Sequence, residues 1–167
     1  MKKWGYLVLL CTVIAAAAAA MPFERNDVAQ LVPVEALVIF IEDGELVLDG
    51  GDCQGRGKTW ETAWRDLKQS AEGTVFLSTA EVVVLSGAAV EVLRDIAWNE
   101  ELRPAAELYA GLGKTLDPEK VAKYLSAHHA GVPLHQARTA LLENRKIILP
   151  VLVETEGGLR LYGTGDR

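Results

Sequence analysis

Cysteine is scarce in this sequence: Cys11 and Cys53 are the only two. Cys11 lies inside an apolar leader, so the rest of the chain holds one thiol and must build its core without an internal disulfide. Histidine is nearly as rare, with three residues, His128, His129 and His135, gathered around one glycine at position 131. Basic charge is also short, 17 Lys and Arg against 23 Asp and Glu, for a net charge of −6. Setting aside Lys2 and Lys3 of the leader leaves 15 basic residues and a net charge of −8. That balance argues against nucleic acid and anionic lipid surfaces as partners. Acid is missing altogether before Glu24, and the chain has one long apolar run, Trp4 to Met21.

A basic start, Met1-Lys2-Lys3, followed by an apolar segment and the small residues Ala18-Ala19-Ala20, is the pattern of a secretory signal. Cleavage after Ala20 is one outcome. Retention as an anchor is the other, since about 18 residues just reach the length needed to cross the hydrocarbon core, with the lysines on the cytoplasmic side. Both outcomes place the remainder outside the cytoplasm. Lipidation at Cys11 is disfavoured, because Leu10 stands where a bacterial lipobox has a small residue. The expected organisation is a leader over residues 1–20, a polar tether over 21–33, an α/β domain over 34–146 and a terminal β-hairpin over 147–167.

Within the domain, Val34 to Ile41 is apolar on both faces and reads as a central strand. Asp43-Gly44 then predicts a hairpin into Glu45–Leu48. Gly50 to Gly57 reads as a glycine-rich loop. Thr59 caps a helix to about Ala71, with Trp60, Ala63, Trp64, Leu67 and Ala71 on one stripe. Strands follow at Val75–Leu77 and Glu81–Leu85, a helix from Gly87 to about Trp98, and a strand at Ala105–Ala110. Asp117-Pro118-Glu119 opens another helix ending at Gly131, with Val121, Tyr124, Leu125 and His128 on one face. A short helix from Leu134 to about Asn144 precedes strands at Ile147–Val153 and Leu159–Tyr162. The order β-β-α-β-β-α-β-α-α-β-β predicts an α/β (α+β) fold, a mixed sheet with helices packed on it.

The segment Gly51-Asp52-Cys53-Gln54-Gly55-Arg56-Gly57-Lys58-Thr59 invites comparison with a phosphate-binding P-loop. That motif needs glycine five positions before the Gly-Lys-Thr ending, where this chain has Asp52, an acid that repels phosphate. Gly111-Leu112-Gly113-Lys114-Thr115 repeats the ending with Leu108 at the glycine position. Neither is read as a nucleotide site. The adjacent histidines point about 100° apart on a helix, which does not suit a metal pair, so no metal or cofactor is expected. A Gly-x-Ser-x-Gly elbow and a His-Glu-x-x-His helix are both missing. The expectation is a non-enzymatic module. The alternative is an exported ligand-binding or catalytic domain using the glycine-rich loop, with Gly55, Arg56, Gly57, Lys58 and Trp60 as candidate binding residues. Trp60, Trp64 and Trp98 could line a groove, although two of them sit on the apolar stripe expected to face the core.

Five segments carry a family resemblance. They are Asp27-Val28-Ala29-Gln30-Leu31-Val32-Pro33-Val34; Gly55-Arg56-Gly57-Lys58-Thr59 with Glu61-Thr62-Ala63 and Asp66-Leu67; Val82-Val83-Val84-Leu85-Ser86-Gly87-Ala88-Ala89; Leu102-Arg103-Pro104 with Ala110-Gly111; and Ile148-Leu149-Pro150-Val151-Leu152 with Leu159-Arg160-Leu161-Tyr162-Gly163. Together they resemble the Ger(x)C family, the C subunits of spore germinant receptors. The resemblance implies a non-enzymatic subunit on the outer face of a spore's inner membrane, beside two integral-membrane protein subunits and linked to spore germination. It supplies no catalytic residues. Members of that family are lipoproteins with a larger C-terminal part, so the chain reads as a reduced or truncated relative.

Overall fold

The computed structural model describes residues 31–112 and 116–163. The leader, the lipobox position and most of the tether lie outside the described residues. No helix among the described residues is long and apolar enough to cross a membrane.

The chain begins with strand β1 (Leu31–Pro33), which falls within the segment expected as tether. Strands β2 (Ala36–Glu42) and β3 (Glu45–Asp49) follow, joined through Asp43 and Gly44. Both turn residues have positive φ, 52° and 80°, the geometry that makes Asp-Gly a hairpin signal. Next come β4 (Gln54–Gly57), helix α1 (Trp60–Ser70), β5 (Thr74–Phe76) and β6 (Val82–Ser86). A 3-10 segment (Gly87–Val92) leads into the short helix α2 (Leu93–Ala97) and then β7 (Glu107–Leu112). Helix α3 (Pro118–Leu125), the two-residue β8 (Val132–Pro133) and helix α4 (Leu134–Leu142) precede the hairpin of β9 (Val151–Thr155) and β10 (Gly158–Tyr162).

Among the described residues, eight strands form one mixed sheet in the order β10-β9-β7-β6-β2-β3-β4, with β8 also paired to β7. The α/β fold is the one the sequence pattern predicts. Its parallel centre is β2-β6-β7-β9, flanked by antiparallel partners on both sides. Strands β1 and β5 pair in parallel as a separate ribbon. Thr79 ties that ribbon to the sheet, its Oγ1 accepting from Val34 N at 3.2 Å and donating to Val34 O at 3.1 Å.

The central strands are buried on both sides, so each divides its side chains between two cores. Leu37, Ile39, Leu46, Leu48, Val83, Leu85 and Leu108 enter one, together with Trp60, Ala63 and Leu67 of α1, Ile96 of α2 and Leu134 of α4. Ala36, Val38, Phe40, Val47, Val82, Val84 and Tyr109 enter the other, against Val121 and Leu125 of α3. Each fully buried large apolar side chain contributes about 1.5–3 kcal/mol. Three helices thus lie on one face and one on the other. β2, β6, β7 and β9 follow one another across the sheet in chain order, and crossovers that all march one way put their helices on one side; α3, which shares the β7-to-β9 connection with α4, is the exception. The parallel strands never reverse direction of progress, so the sheet makes no switch-point crevice of the kind that holds ligands in doubly wound folds.

Several expectations shift at their boundaries. The segment read as a glycine-rich loop over 50–57 ends in a strand, β4. Gly87 opens a 3-10 segment before the helix expected there. Helix α3 stops at Leu125 instead of Gly131, because side chains take over its last carbonyls: Ser126 Oγ donates to Lys123 O at 2.9 Å and His128 Nδ1 to Tyr124 O at 2.8 Å. Strand β9 starts at Val151 instead of Ile147, next to Pro150, which has no N–H for a ladder. Pro150 O still accepts from Ala110 N at 2.9 Å.

Candidate interaction surface

The candidate binding residues around Gly55 form a seam between β4 and α1. A Cβ on Gly55 would overlap Ala63 O and the backbone of Leu67, and one on Gly57 would overlap Thr62 and Ala63 N. Both glycines are therefore required where the strand meets the helix backbone. Thr59 caps α1 in a reciprocal box with Thr62 (Thr62 N to Thr59 Oγ1, 3.3 Å; Thr59 N to Thr62 Oγ1, 3.0 Å). Arg56 pairs with Glu42 at 2.7 Å, while Lys58 is exposed. Trp60 is buried and stacks on Trp64 with ring centroids 5.4 Å apart. Trp64 Nε1 donates to Glu101 at 3.3 Å, and Lys68 Nζ binds the same carboxylate. Trp98 is half-exposed at the end of α2. The four cavities described below are lined by neither Gly55 nor Trp60.

Cys53 is buried just before β4. Burial, with Asp49 and Asp52 nearby, pushes its thiol above the usual range, which keeps it protonated and unreactive.

The three histidines go to three different places. His128 stacks on Tyr124 at 4.3 Å, His129 lies 3.8 Å from Glu107, and His135 Nδ1 donates to Pro104 O at 3.0 Å. Among the described residues, no group of three His, Cys, Asp or Glu side chains is arranged to hold a metal ion.

A polar knot that the sequence pattern does not reveal sits where β7 meets the loop after α3. Tyr109 donates its hydroxyl to Glu107 Oε2 at 2.5 Å and accepts from the amides of Ala130 (3.1 Å) and Gly131 (2.9 Å). Gly131 is required there, since a Cβ would lie 2.6 Å from Glu107 Cβ and 2.7 Å from the Tyr109 ring. Burial first, and the Glu107 hydrogen bond second, hold the phenol well above the usual tyrosine range; the two amides oppose them. On the other face, Arg138 of α4 braces the end of α2, donating to Asn99 O at 2.9 Å and to Ala97 O.

Four cavities surround these elements. Two adjoin beneath α3, sharing Glu35 and Ala122; one adds Asp52 and Glu119, the other Glu81, Arg103, Glu107 and His129. A third, of about 330 Å³, lies between α4 and Ile147–Ile148. The fourth is an open groove of about 400 Å³ between α3 and β10, with Tyr124, Ala127 and Leu159 as its apolar residues and Lys120, Lys123, His128 and Glu154 around them. Ser86 Oγ, at the carboxyl end of β6 beside Gly111, is the buried side-chain oxygen without a hydrogen-bond partner among the described residues.

Exposed apolar side chains gather at the carboxyl ends of the parallel strands. Ile41 on β2 and Leu112 on β7 are 45% and 60% exposed, and both point to the three-helix face. Val90 stands on the 3-10 segment that packs across β2, β6 and β7. On the same face of the terminal hairpin, half-exposed Tyr162 sits opposite Val151, whereas the row of Leu112 runs through Val153 to the exposed Arg160. Comparison of the chain with family models, with characterised proteins and with solved structures returns no match.

Proposed function

We propose that the chain is an extracytoplasmic contact module, associated with a membrane through its N-terminal segment, and a relative of the C subunit of spore germinant receptors. The observation that carries the contact reading is the set of exposed apolar side chains Ile41, Val90 and Leu112 at the carboxyl ends of the parallel strands, exposed apolar surface being the mark of a protein-contact site. The germination link rests on the five resembling segments of sequence. Those segments fall largely on β4 and α1, on β6 and its 3-10 continuation, and on the terminal hairpin. Integral-membrane subunits are the partners this reading names.

The test is genetic and biochemical. Deletion of the gene in its host is expected to slow nutrient-triggered germination, and the protein is expected in the membrane fraction of spores. Normal germination after deletion rejects the receptor role. Recovery of the chain solely in the soluble fraction rejects the tether.

A further inference from the structure

We propose that the edge of β10, left unpaired by the described residues, takes up an extended strand from a partner protein, one that alternates apolar and acidic side chains. The proposal rests on the reading of the chain as a contact module and adds the mode and chemistry of the contact.

The two edges of the main sheet are treated differently. At β4 two of the outward backbone groups are occupied: Asp66 accepts from Arg56 N at 2.8 Å, and Ser70 Oγ donates to Gln54 O at 2.6 Å. At β10 no described residue outside β9 hydrogen-bonds the strand's backbone. Thr155 and Gly158 close a two-residue hairpin, and ladder bonds alternate from there along an antiparallel pair. The N–H and C=O of Leu159 and Leu161 therefore face outward, free to pair with an added strand.

Side chains on either side of that edge state what the strand must carry. Leu159 and Leu161 belong to the single-helix face, half-buried against the second core, and Leu159 floors the groove completed by Tyr124 and Ala127. An added strand lays every second side chain along this groove, where apolar groups fit. Its alternate side chains fall beside Arg160, exposed on the opposite face. On the groove face Lys120 lies 3.8 Å from Glu154, while Lys123 on the rim and Arg160 on the opposite face make no ion pair among the described residues, so a cation without an acidic partner borders the edge on each face of a chain whose net charge is −6. Acidic side chains complement them. A second copy is disfavoured as the occupant: the antiparallel register that pairs all five residues sets Arg160 directly opposite its own equivalent, and like charges in that position destabilise a sheet.

The experiment uses the full chain, isotope-labelled and held in neutral detergent, titrated with the peptide (Glu-Val)4 and separately with (Lys-Val)4. The expected result is at least tenfold slower amide exchange at Leu159 and Leu161 with (Glu-Val)4 and no change with (Lys-Val)4 at equal concentration. Arg160→Glu is expected to reverse the preference. Leu161→Pro, which removes one outward donor, is expected to abolish protection by either peptide; retained β9 and β10 ladder amides in that variant show that the hairpin still forms. Equal effects of both peptides, or of neither, overturn the proposal. So does concentration-dependent dimerisation that protects the same amides without peptide, or protection by phosphatidylglycerol vesicles in place of peptide. Peptide protection alongside normal germination of the deletion strain retains the edge and removes only the receptor role.

Discussion

The β4 and β10 edges belong to one sheet, yet they differ in what lies beyond them. Beyond β4, α1 packs so closely that two glycines are needed, and its Asp66 and Ser70 bond two of the strand's outward backbone groups. Beyond β10 there is an open groove and a row of unpaired backbone groups among the described residues. Proteins manage edge strands by covering, charging or shortening them. Here one edge is covered and the other carries a charge, Arg160. The difference teaches that covering an edge abolishes pairing, whereas a charge only selects which strand may pair.

The largest effect is expected at the covered edge. Gly55→Ala forces a methyl group into the backbone of α1, and overpacking of this kind costs about 3 kcal/mol. Urea denaturation measures it, and a loss below about 1 kcal/mol would show that α1 can draw back from β4. Next is Tyr109→Phe, which tests what holds α3 and its following loop beside the β10 groove. Leaving Glu107 and the amides of Ala130 and Gly131 without the hydroxyl is expected to cost about 2 kcal/mol.

The same tyrosine gives a pH prediction. Its folded pKa is raised, mainly by burial, so its contribution is fully present below the unfolded value of about 10 and is lost as pH rises through the folded value. Stability of the wild type should therefore fall from about pH 10 upward, and Tyr109→Phe should flatten that decline. An unchanged alkaline slope in the variant would place the cause elsewhere.

Asp66→Ala then opens the β4 edge by freeing Arg56 N. A cost of about 1 kcal/mol is expected, together with faster exchange of the Arg56 amide and new self-association in sedimentation. A variant that stays monomeric would mean that α1 shields the edge by its bulk alone. The smallest effect is expected at the open side: Gly157→Ala meets only Thr155 Oγ1, at 4.0 Å, and should change stability by less than about 0.5 kcal/mol.

Local chemistry made much of the fold legible. Thr59 and Asp117 cap the helices that their types announce, and Asp43-Gly44 turns as expected. The alternation of Leu159, Arg160 and Leu161 marks a strand, though nothing in it says that the strand lies at an edge. Strand β4 escaped notice because its packed face is bare glycine, which carries no apolar signal. The Tyr109 knot escaped because its partners lie 21 and 22 residues away along the chain.

The sequence by itself determined the scarcity of cysteine and the acidic balance, which are matters of composition, and the caps, turns and sheet-with-helices class, which depend on residues close together along the chain. Tertiary structure alone decided that the glycines of the apparent loop serve a strand–helix seam, that three helices share one face, and that one sheet edge is closed and the other open. Those outcomes depend on which backbone segments meet after the chain has crossed the sheet, and pairing across such distances is set by topology and burial, not by local preference.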